Sequence, residues 1–367
     1  FTIKSFLHMR LHLFNPENDL ALANGDPNFV APASARKLAE DLALLPQWWS
    51  DEADRMFVES QVWKNEPIDA CAPWGWSAAS RQRFLKAGID SSVLPAEARI
   101  AHIRMLSHRR TGIFLLRQLQ QEVALPELPV EITSVEEIEA YVAAHPAGAV
   151  FKTPWSSSGK GLCWSNRMNA FNRAHWFSSV FRKMGSVIAE PVYDRLIDFA
   201  MLFSSESGIG VRFVGYSLFQ TDEQGVYVGN KLLSNEDIRM ELIRYVEPEV
   251  LDRVIKRLES ILSDLISDAY EGFLGVDMMI VRNPQSEGYG LHPCVELNLR
   301  MTMGMVARLF YDKHLEGTTK ENGVFRIVHS SVKGELYERF GIPNGQDQLL
   351  LTPVNLDTQY AAIVTFE

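Results

Sequence analysis

The sequence predicts an α/β to α+β protein of two or three domains, and three observations carry that expectation. A chain of 367 residues exceeds what one hydrophobic core usually organises. Strand, polar loop and helix follow one another twice near the start, around Arg10 to Leu22 and around Ala70 to Ser80. From about Ala149 the character changes to β-rich segments, followed by one long amphipathic helix.

The first unit alternates as a strand from Arg10 to Phe14, breaks at Asn15-Pro16-Glu17-Asn18-Asp19 and resumes with helical spacing through Leu20, Ala21 and Leu22. Loops at the carboxyl ends of strands in such units commonly hold ligands. The structural reading is preferred here, with Asn15, Asn18 and Asp19 capping the helix and satisfying its free N–H groups. The second unit ends a strand near Ala70, turns at Pro73 and Gly75 and starts a helix capped by Ser77. Trp74 and Trp76 are expected to close a core rather than frame a ligand.

Helical periodicity then runs from about Ala98 to Leu119, interrupted near Ser107-His108-Arg109-Arg110-Thr111. Thr133-Ser134 followed by Glu136-Glu137 gives a capping-box signature ahead of a helix ending near His145-Pro146. Ala149–Thr153, Val187–Val192, Phe199–Ser204 and Val211–Phe219 read as strands. Val250, Leu251, Val254, Ile255, Leu258, Ile261, Leu262 and Leu265 then form the apolar stripe of the long helix.

Composition narrows the function classes. Hydrophobic residues make up 46% and charged residues 22%, which is the balance of an ordinary folded protein. A net charge of −10 argues against a general nucleic-acid binder, because that affinity rests on pooled Lys and Arg. Cys71, Cys163 and Cys294 are far apart and lack CxxC spacing, so neither a disulfide framework nor a zinc site is expected, and a reducing cytoplasm fits. No charged leader followed by an apolar run and no stretch of about 18 apolar residues is present, so no membrane segment is expected.

Three constellations carry chemistry. In the first, an apolar strand delivers Lys152, and Ser156, Ser157, Ser158, Gly159, Lys160 and Gly161 follow as a small-residue loop. Its backbone N–H groups can converge on phosphate, or it is a plain hairpin tip. The spacing is not that of a Walker loop, since Pro154 stands where the first glycine would be.

In the second, Glu190-Pro191-Val192-Tyr193 ends a strand and Asp198 lies on the next. Pro191 suggests an edge or crossover, because it cannot donate to a ladder. Glu190 and Asp198 can accept hydrogen bonds from an amine or a ribose hydroxyl, or simply be solvated.

The third is the most informative. Gly272 to Val281 and His292 to Arg300 read as an antiparallel pair, joined by the loop around 283–290. Folding about that loop sets Asp277 opposite the Glu296 region, and period two puts Glu296 and Asn298 on one face. Carboxylates and an amide pointing one way from an apolar sheet need a cation or hydrogen bonds unless the face is solvated. Such oxygen ligands suit Mg2+, with Mn2+ as a related occupant.

Taken in order, the Lys-bearing strand with its Ser/Gly loop, the Glu-Pro-Val-Tyr crossover and Gly-Val-Asp followed by Val-Glu-Leu-Asn-Leu-Arg resemble the ATP-grasp superfamily over roughly residues 103–309. The resemblance implies an ATP-grasp fold behind an N-terminal α/β domain: residues 1–97 as that domain, 98–190 and 191–312 as the small and large ATP-grasp subdomains. Residues 313–367 form a C-terminal segment without a readable motif.

It further implies that Lys152 and Ser156 to Gly161 hold the triphosphate of ATP and that Glu190, Pro191, Val192 and Tyr193 form the adenine hinge. Asp198 matches the ribose position, and Asp277, Glu296 and Asn298 match the metal ligands. Arg300 matches the residue that steadies the transferred phosphoryl group or the substrate. Arg109 stands where many members carry a lysine and is carried over as a phosphate contact, although its fork differs from a point charge.

The implied activity is ligation of a small-molecule carboxylate to an amine or similar nucleophile through an acylphosphate. A small-molecule kinase and a non-catalytic nucleotide-binding regulator are the alternatives, and homo-oligomerisation is left open.

Overall fold

In the computed structural model the described residues are 9–64, 66–124, 127–156, 161–221, 227–266, 268–282, 288–320, 322–341 and 347–366. Ser157, Ser158, Gly159 and Lys160 of the expected phosphate loop, and residues 283–287 of the hairpin loop, lie outside them. The strands are β1 (Arg10–Leu13), β2 (Arg55–Met56), β3 (Ala70–Pro73), β4 (Val130–Ile132), β5 (Ala149–Lys152), β6 (Leu162–Trp164), β7 (Val187–Pro191), β8 (Arg195–Glu206), β9 (Gly210–Thr221), β10 (Tyr227–Leu232), β11 (Gly272–Arg282), β12 (Tyr289–Asn298), β13 (Gly323–His329), β14 (Gln348–Leu350) and β15 (Tyr360–Phe366).

The chain divides into two units. The first comprises residues 1–104, 228–234 and 300–367. Its parallel sheet has the order β2-β1-β3, with Leu11 opposite Cys71 on one side and Arg55 on the other. Leu11, Leu13, Phe57, Trp63, Phe84 and Leu94 form a core against it. The C-terminal strands are held in the same unit. The Trp48 indole N–H donates to the Leu351 carbonyl at 2.6 Å, and the Asp41 carboxylate accepts from the N–H groups of Gln359 and Tyr360.

The two strand-loop-helix units near the start turn out differently. Ser77 caps the helix Ala78–Lys86 as expected, in a capping box with Ser80. Trp74 is buried edge-on against Phe14 at 5.0 Å, which is the core role. The capping reading of Asn15, Asn18 and Asp19 is corrected. The N-cap of the helix Asn18–Asn24 is Glu17, and no side chain caps it. Tertiary partners take two of these polar groups instead: the Asn15 amide bridges to the backbone of Gly75, and Asp19 grips Arg300, while the Asn18 amide is left without a hydrogen bond.

The second unit comprises residues 105–227 and 235–299. A small antiparallel sheet of order β4-β7-β5-β6 packs its apolar face on the helices Val135–Ala144 and Ala170–Met184, burying Ile138, Phe151, Phe177, Val180 and Val187. Ser134 and Glu137 form the expected capping box. Pro191 is the last residue of β7, an inner strand. Its missing N–H costs nothing, because β4 pairs with β7 no further than Ala189 while β5 continues to Pro191.

The other sheet of this unit runs β12-β11-β8-β9. The helix Pro248–Ile266 buries Leu251, Val254, Leu258, Ile261 and Leu262 of the expected stripe, together with Ile266, while Val250, Ile255 and Leu265 are only partly buried. Among the described residues no helix is long and apolar enough to cross a membrane.

Phe151 sits at 0% exposure, edge-on to Phe177 at 4.9 Å, one residue before the strand end that carries Lys152. Phe151→Ala should cost about 3–5 kcal/mol in denaturant unfolding. A loss below about 1 kcal/mol would show that this side chain does not anchor the small sheet.

Candidate functional site

The second unit gathers the titratable groups of the site on facing strands. On β5 and β7, Val150 pairs with Glu190 and Lys152 with Ile188, so period two sets Lys152 and Glu190 on one face as diagonal neighbours. Their ammonium and carboxylate form an ion pair, with both side chains almost fully buried. Breaking such a pair leaves an uncompensated buried charge, typically a cost of about 3–5 kcal/mol. The pair is therefore costly to break at either partner without being by itself a source of stability.

The large sheet places its own groups by register. Asp277 lies directly opposite Glu296, and Gly275 opposite Asn298, so the three expected metal ligands share one face. The Asn298 amide donates to Asp277 Oδ2 at 3.0 Å. Glu296 instead meets Arg109, whose guanidinium lies 2.9 Å from Glu296 Oε1. Arg109 Nε also donates to the Thr153 carbonyl and Nη2 to Ser156 Oγ, at 3.0 and 3.1 Å. Arg109 thus ties the strand end that follows Lys152 to the acidic face of β12.

Two carboxylates and an amide fit Mg2+, which takes few protein ligands and completes its shell with phosphate and water. Among the described residues no group of three or more His, Cys, Asp or Glu could hold a metal by itself.

The register also sets Met279 and His292, which the sequence reading leaves unassigned, beside Asp198. Met279 pairs with His292 on one side and with Asp198 on the other, so Asp198, Met279 and His292 form a row two residues along β11 from Asp277. Two residues of strand span about 6.6 Å. Between these rows the β11–β12 register shifts, and Pro293 to Val295 oppose Met278 alone. Pro293, which lacks an N–H, gives the local reason for the irregularity. Asp198 accepts from Thr221 Oγ1 at 2.8 Å and pairs with Arg195 at 2.9 Å, and its burial pushes the carboxyl above its usual range.

His292 is 2% exposed, and neither ring nitrogen has a hydrogen-bond partner. Its ring stands edge-on to Tyr193 at 5.1 Å. Burial pulls its pKa down to about 4, with Glu190 opposing and Lys152 reinforcing that shift. It is a neutral imidazole with one donor and one acceptor unused, beside Tyr193 and the Lys152–Glu190 pair. A buried polar group left in this way calls for a ligand or an ordered water. The sequence signal was its even spacing from Glu296 and Asn298, masked by the proline between.

The glycine of the expected phosphate loop that can be placed is Gly161, at φ +82°. A Cβ there would lie 2.3 Å from Thr153 Oγ1, and the Thr153 N–H donates to the Gly161 carbonyl at 2.9 Å. Both conformation and space therefore demand glycine. Tyr193, at the expected hinge, donates its hydroxyl to the Glu127 carbonyl, and Val192 donates its N–H to the Gly148 carbonyl.

Arg300 belongs to the first unit, where Nε and Nη2 hold Asp19 at 2.8–3.1 Å. The thiols are unpaired, and burial raises Cys71 to about 12 and Cys163 to about 11, far from a nucleophilic thiolate.

No protein-family model matches the chain, and no curated protein does. Solved structures do. The N5-carboxyaminoimidazole synthetase of Staphylococcus aureus, complexed with ADP, is similar at TM-score 0.55 and 12% identity over 99% of this chain and 94% of that one. The biotin carboxylase domain dimer of the Hydrogenobacter thermophilus 2-oxoglutarate carboxylase, in complex with MgADP, ADP and bicarbonate, reaches 0.54 at 10% identity over 98% and 86%. Biotin carboxylase from Campylobacter jejuni, as a β,γ-ATP complex, reaches 0.51 at 11% over 98% and 87%. The chain has the ATP-grasp fold. At this identity the likeness speaks to fold, and function has to be argued from the site.

The His292 geometry sets a pH dependence. A histidine ordinarily near 6.5 and held near 4 when folded gives stability that is complete above the higher value and lost as pH falls toward the lower. From about pH 7 to about pH 5 the protein should lose about 2 kcal/mol more unfolding free energy than His292→Phe. Parallel pH profiles for the two proteins would show that the imidazole is not held neutral.

Proposed function

We propose that this chain, on its ATP-grasp fold, is an ATP-dependent ligase that activates a small carboxylate as an acylphosphate for attack by an amine or similar nucleophile. The observation that carries the reading is the gathering within the second unit of Lys152, Glu190, Arg109, Asp277, Glu296 and Asn298, each charge held by an opposite charge or an amide. The solved structures of like fold that hold ADP, MgADP or a β,γ-ATP complex support ATP as the ligand.

Lys152 would exchange Glu190 for a phosphate oxygen, as a point charge suited to an anion. The Ser156 and Gly161 ends of the loop would border the triphosphate. Asp198 would accept from a ribose hydroxyl, and Glu190 with Tyr193 and the orphaned His292 would line the base. Asp277, Glu296 and Asn298 would hold Mg2+, which when bound offsets phosphate charge. Arg109, released from Glu296 when that carboxylate turns to the metal, would supply positive charge near the transferring group.

A carboxylate oxygen of the substrate attacks the γ-phosphorus, the bond to the β-phosphate oxygen breaks, and ADP leaves. The amine nitrogen then attacks the acyl carbon, inorganic phosphate leaves with the bonding pair, and the nitrogen loses its proton to solvent or a nearby base. No protein nucleophile is required, in keeping with thiols that burial holds protonated. We take the site of action to be the cytoplasm.

Mg-ATP with a panel of carboxylates and hydroxylamine should yield a hydroxamate, and Glu296→Gln should abolish it while the thermal midpoint is kept. Lys152→Ala should weaken nucleotide binding about tenfold or more, the loss of a charge-assisted contact. ADP release that depends on a hydroxyl acceptor, with no hydroxamate from any acid, would replace the ligase by a kinase. Unchanged nucleotide affinity in Lys152→Ala would remove that residue from the site.

A further inference from the structure

The loop after β1 is not absorbed by the nucleotide site, nor is it used to cap its helix. It lies at the carboxyl end of the central strand of the β2-β1-β3 sheet, where the chain leaves β1 for a neighbour on one side and later returns as β3 on the other. Such a switch point is where open parallel sheets leave a crevice for ligands. The loop after β3 faces it, and the Asn15 amide ties the two together through both Gly75 backbone groups, at 2.9 and 3.3 Å.

Asn18 is 1% exposed, and neither Oδ1 nor Nδ2 has a partner. Its amide lies against Gly75 so closely that a Cβ there would come within 2.4 Å of Nδ2. Next to it, Glu17 Oε2 is buried without a partner as well. Glu17 Oε1 accepts from Arg83 at 3.2 Å, but that guanidinium is shared with Glu59, which it meets at 2.5 Å. Two carboxylates thus divide one cation, and burial with Glu59 holds the Glu17 carboxyl above its usual range. Asp19, the next residue, is neutralised by Arg300.

The orphaned set is one donor and two acceptors, with negative charge in excess on the acceptor side. Its complement is a ligand that carries several N–H donors and positive charge at one end and an acceptor at the other.

We propose that this crevice of the first unit binds a free α-amino acid, its ammonium on Glu17 Oε2 and Asn18 Oδ1 and its carboxylate on Asn18 Nδ2. Gly75 is the residue that leaves the Asn18 amide its place.

Calorimetric titration of the whole chain with each standard amino acid tests this, with ethanolamine and acetate as half-molecules lacking the carboxylate or the ammonium. One amino acid or a few related ones should bind, and neither half-molecule should. Asn18→Ala should weaken binding about tenfold or more through the lost hydrogen bonds. The same substitution should keep or raise the thermal midpoint, because it removes an unsatisfied amide. Asn18→Leu, which keeps the volume, gives the same readout should the smaller side chain loosen the loop. Unchanged affinity in a folded Asn18 variant, or no amino acid bound by the unaltered chain, overturns the proposal and leaves an ordered water as the occupant. The ligase reading fails separately. Amino-acid binding without ATP turnover keeps the crevice and removes the ligase, whereas turnover with a nucleophile of another class, and no amino acid bound, does the reverse.

Discussion

A charge taken out of water must meet an opposite charge, and that constraint organises the second unit. Lys152 and Glu190 are both nearly closed off from solvent, and Glu296 sits beside a guanidinium that is itself buried. On the proposed function each partner would be a placeholder that a ligand of the same sign replaces: phosphate for a carboxylate on Lys152, a metal ion for Arg109 on Glu296. The desolvation cost is met before the ligand arrives, so a site of this kind is preorganised rather than assembled on binding. The packing supports that rigidity. Phe151 and Phe177 lock the strand that ends in Lys152, and the ladder of β12-β11-β8-β9 fixes the acidic face.

The same accounting separates the two units. In the second, nearly every described charge near the site is answered, and the exception is a neutral ring, His292. In the first, the Asn15–Asp19 loop leaves an amide and a carboxylate oxygen unanswered while its charged neighbour Asp19 is fully engaged. An unanswered amide is tolerable where an unanswered ion is not, and the Glu17 carboxylate keeps one oxygen on Arg83, so the set is suited to reading the hydrogen-bond pattern of a ligand as well as its charge.

What the amino-acid sequence reveals divides along the range of the interaction. Asp277 opposite Glu296 is legible, because an antiparallel pair about a short loop and a period of two are local geometry. Ser77 and Ser134 are legible as caps because both partners of each box lie within one turn of helix. The fold class follows from the order of such units. The Lys152–Glu190 pair is not legible, since no local pattern says that β5 and β7 are neighbours. His292 is hidden by Pro293, whose irregularity interrupts the alternation that would have joined it to Glu296. Asn15 and Asp19 mislead for a related reason: their residue types favour caps, but Gly75 and Arg300, distant in sequence, compete for them and win, while Asn18 neither caps nor finds a partner. Arg300 follows β12 by two residues, and its partner Asp19 lies in a segment with no local signal to name it.

If the acidic face of β11 and β12 holds a divalent cation on which ATP binding depends, ATP affinity measured by calorimetry across a magnesium series should rise with magnesium in the unaltered chain and stay flat in a folded Asp277→Asn, Glu296→Gln double variant. An equal magnesium dependence in both would place the cation elsewhere.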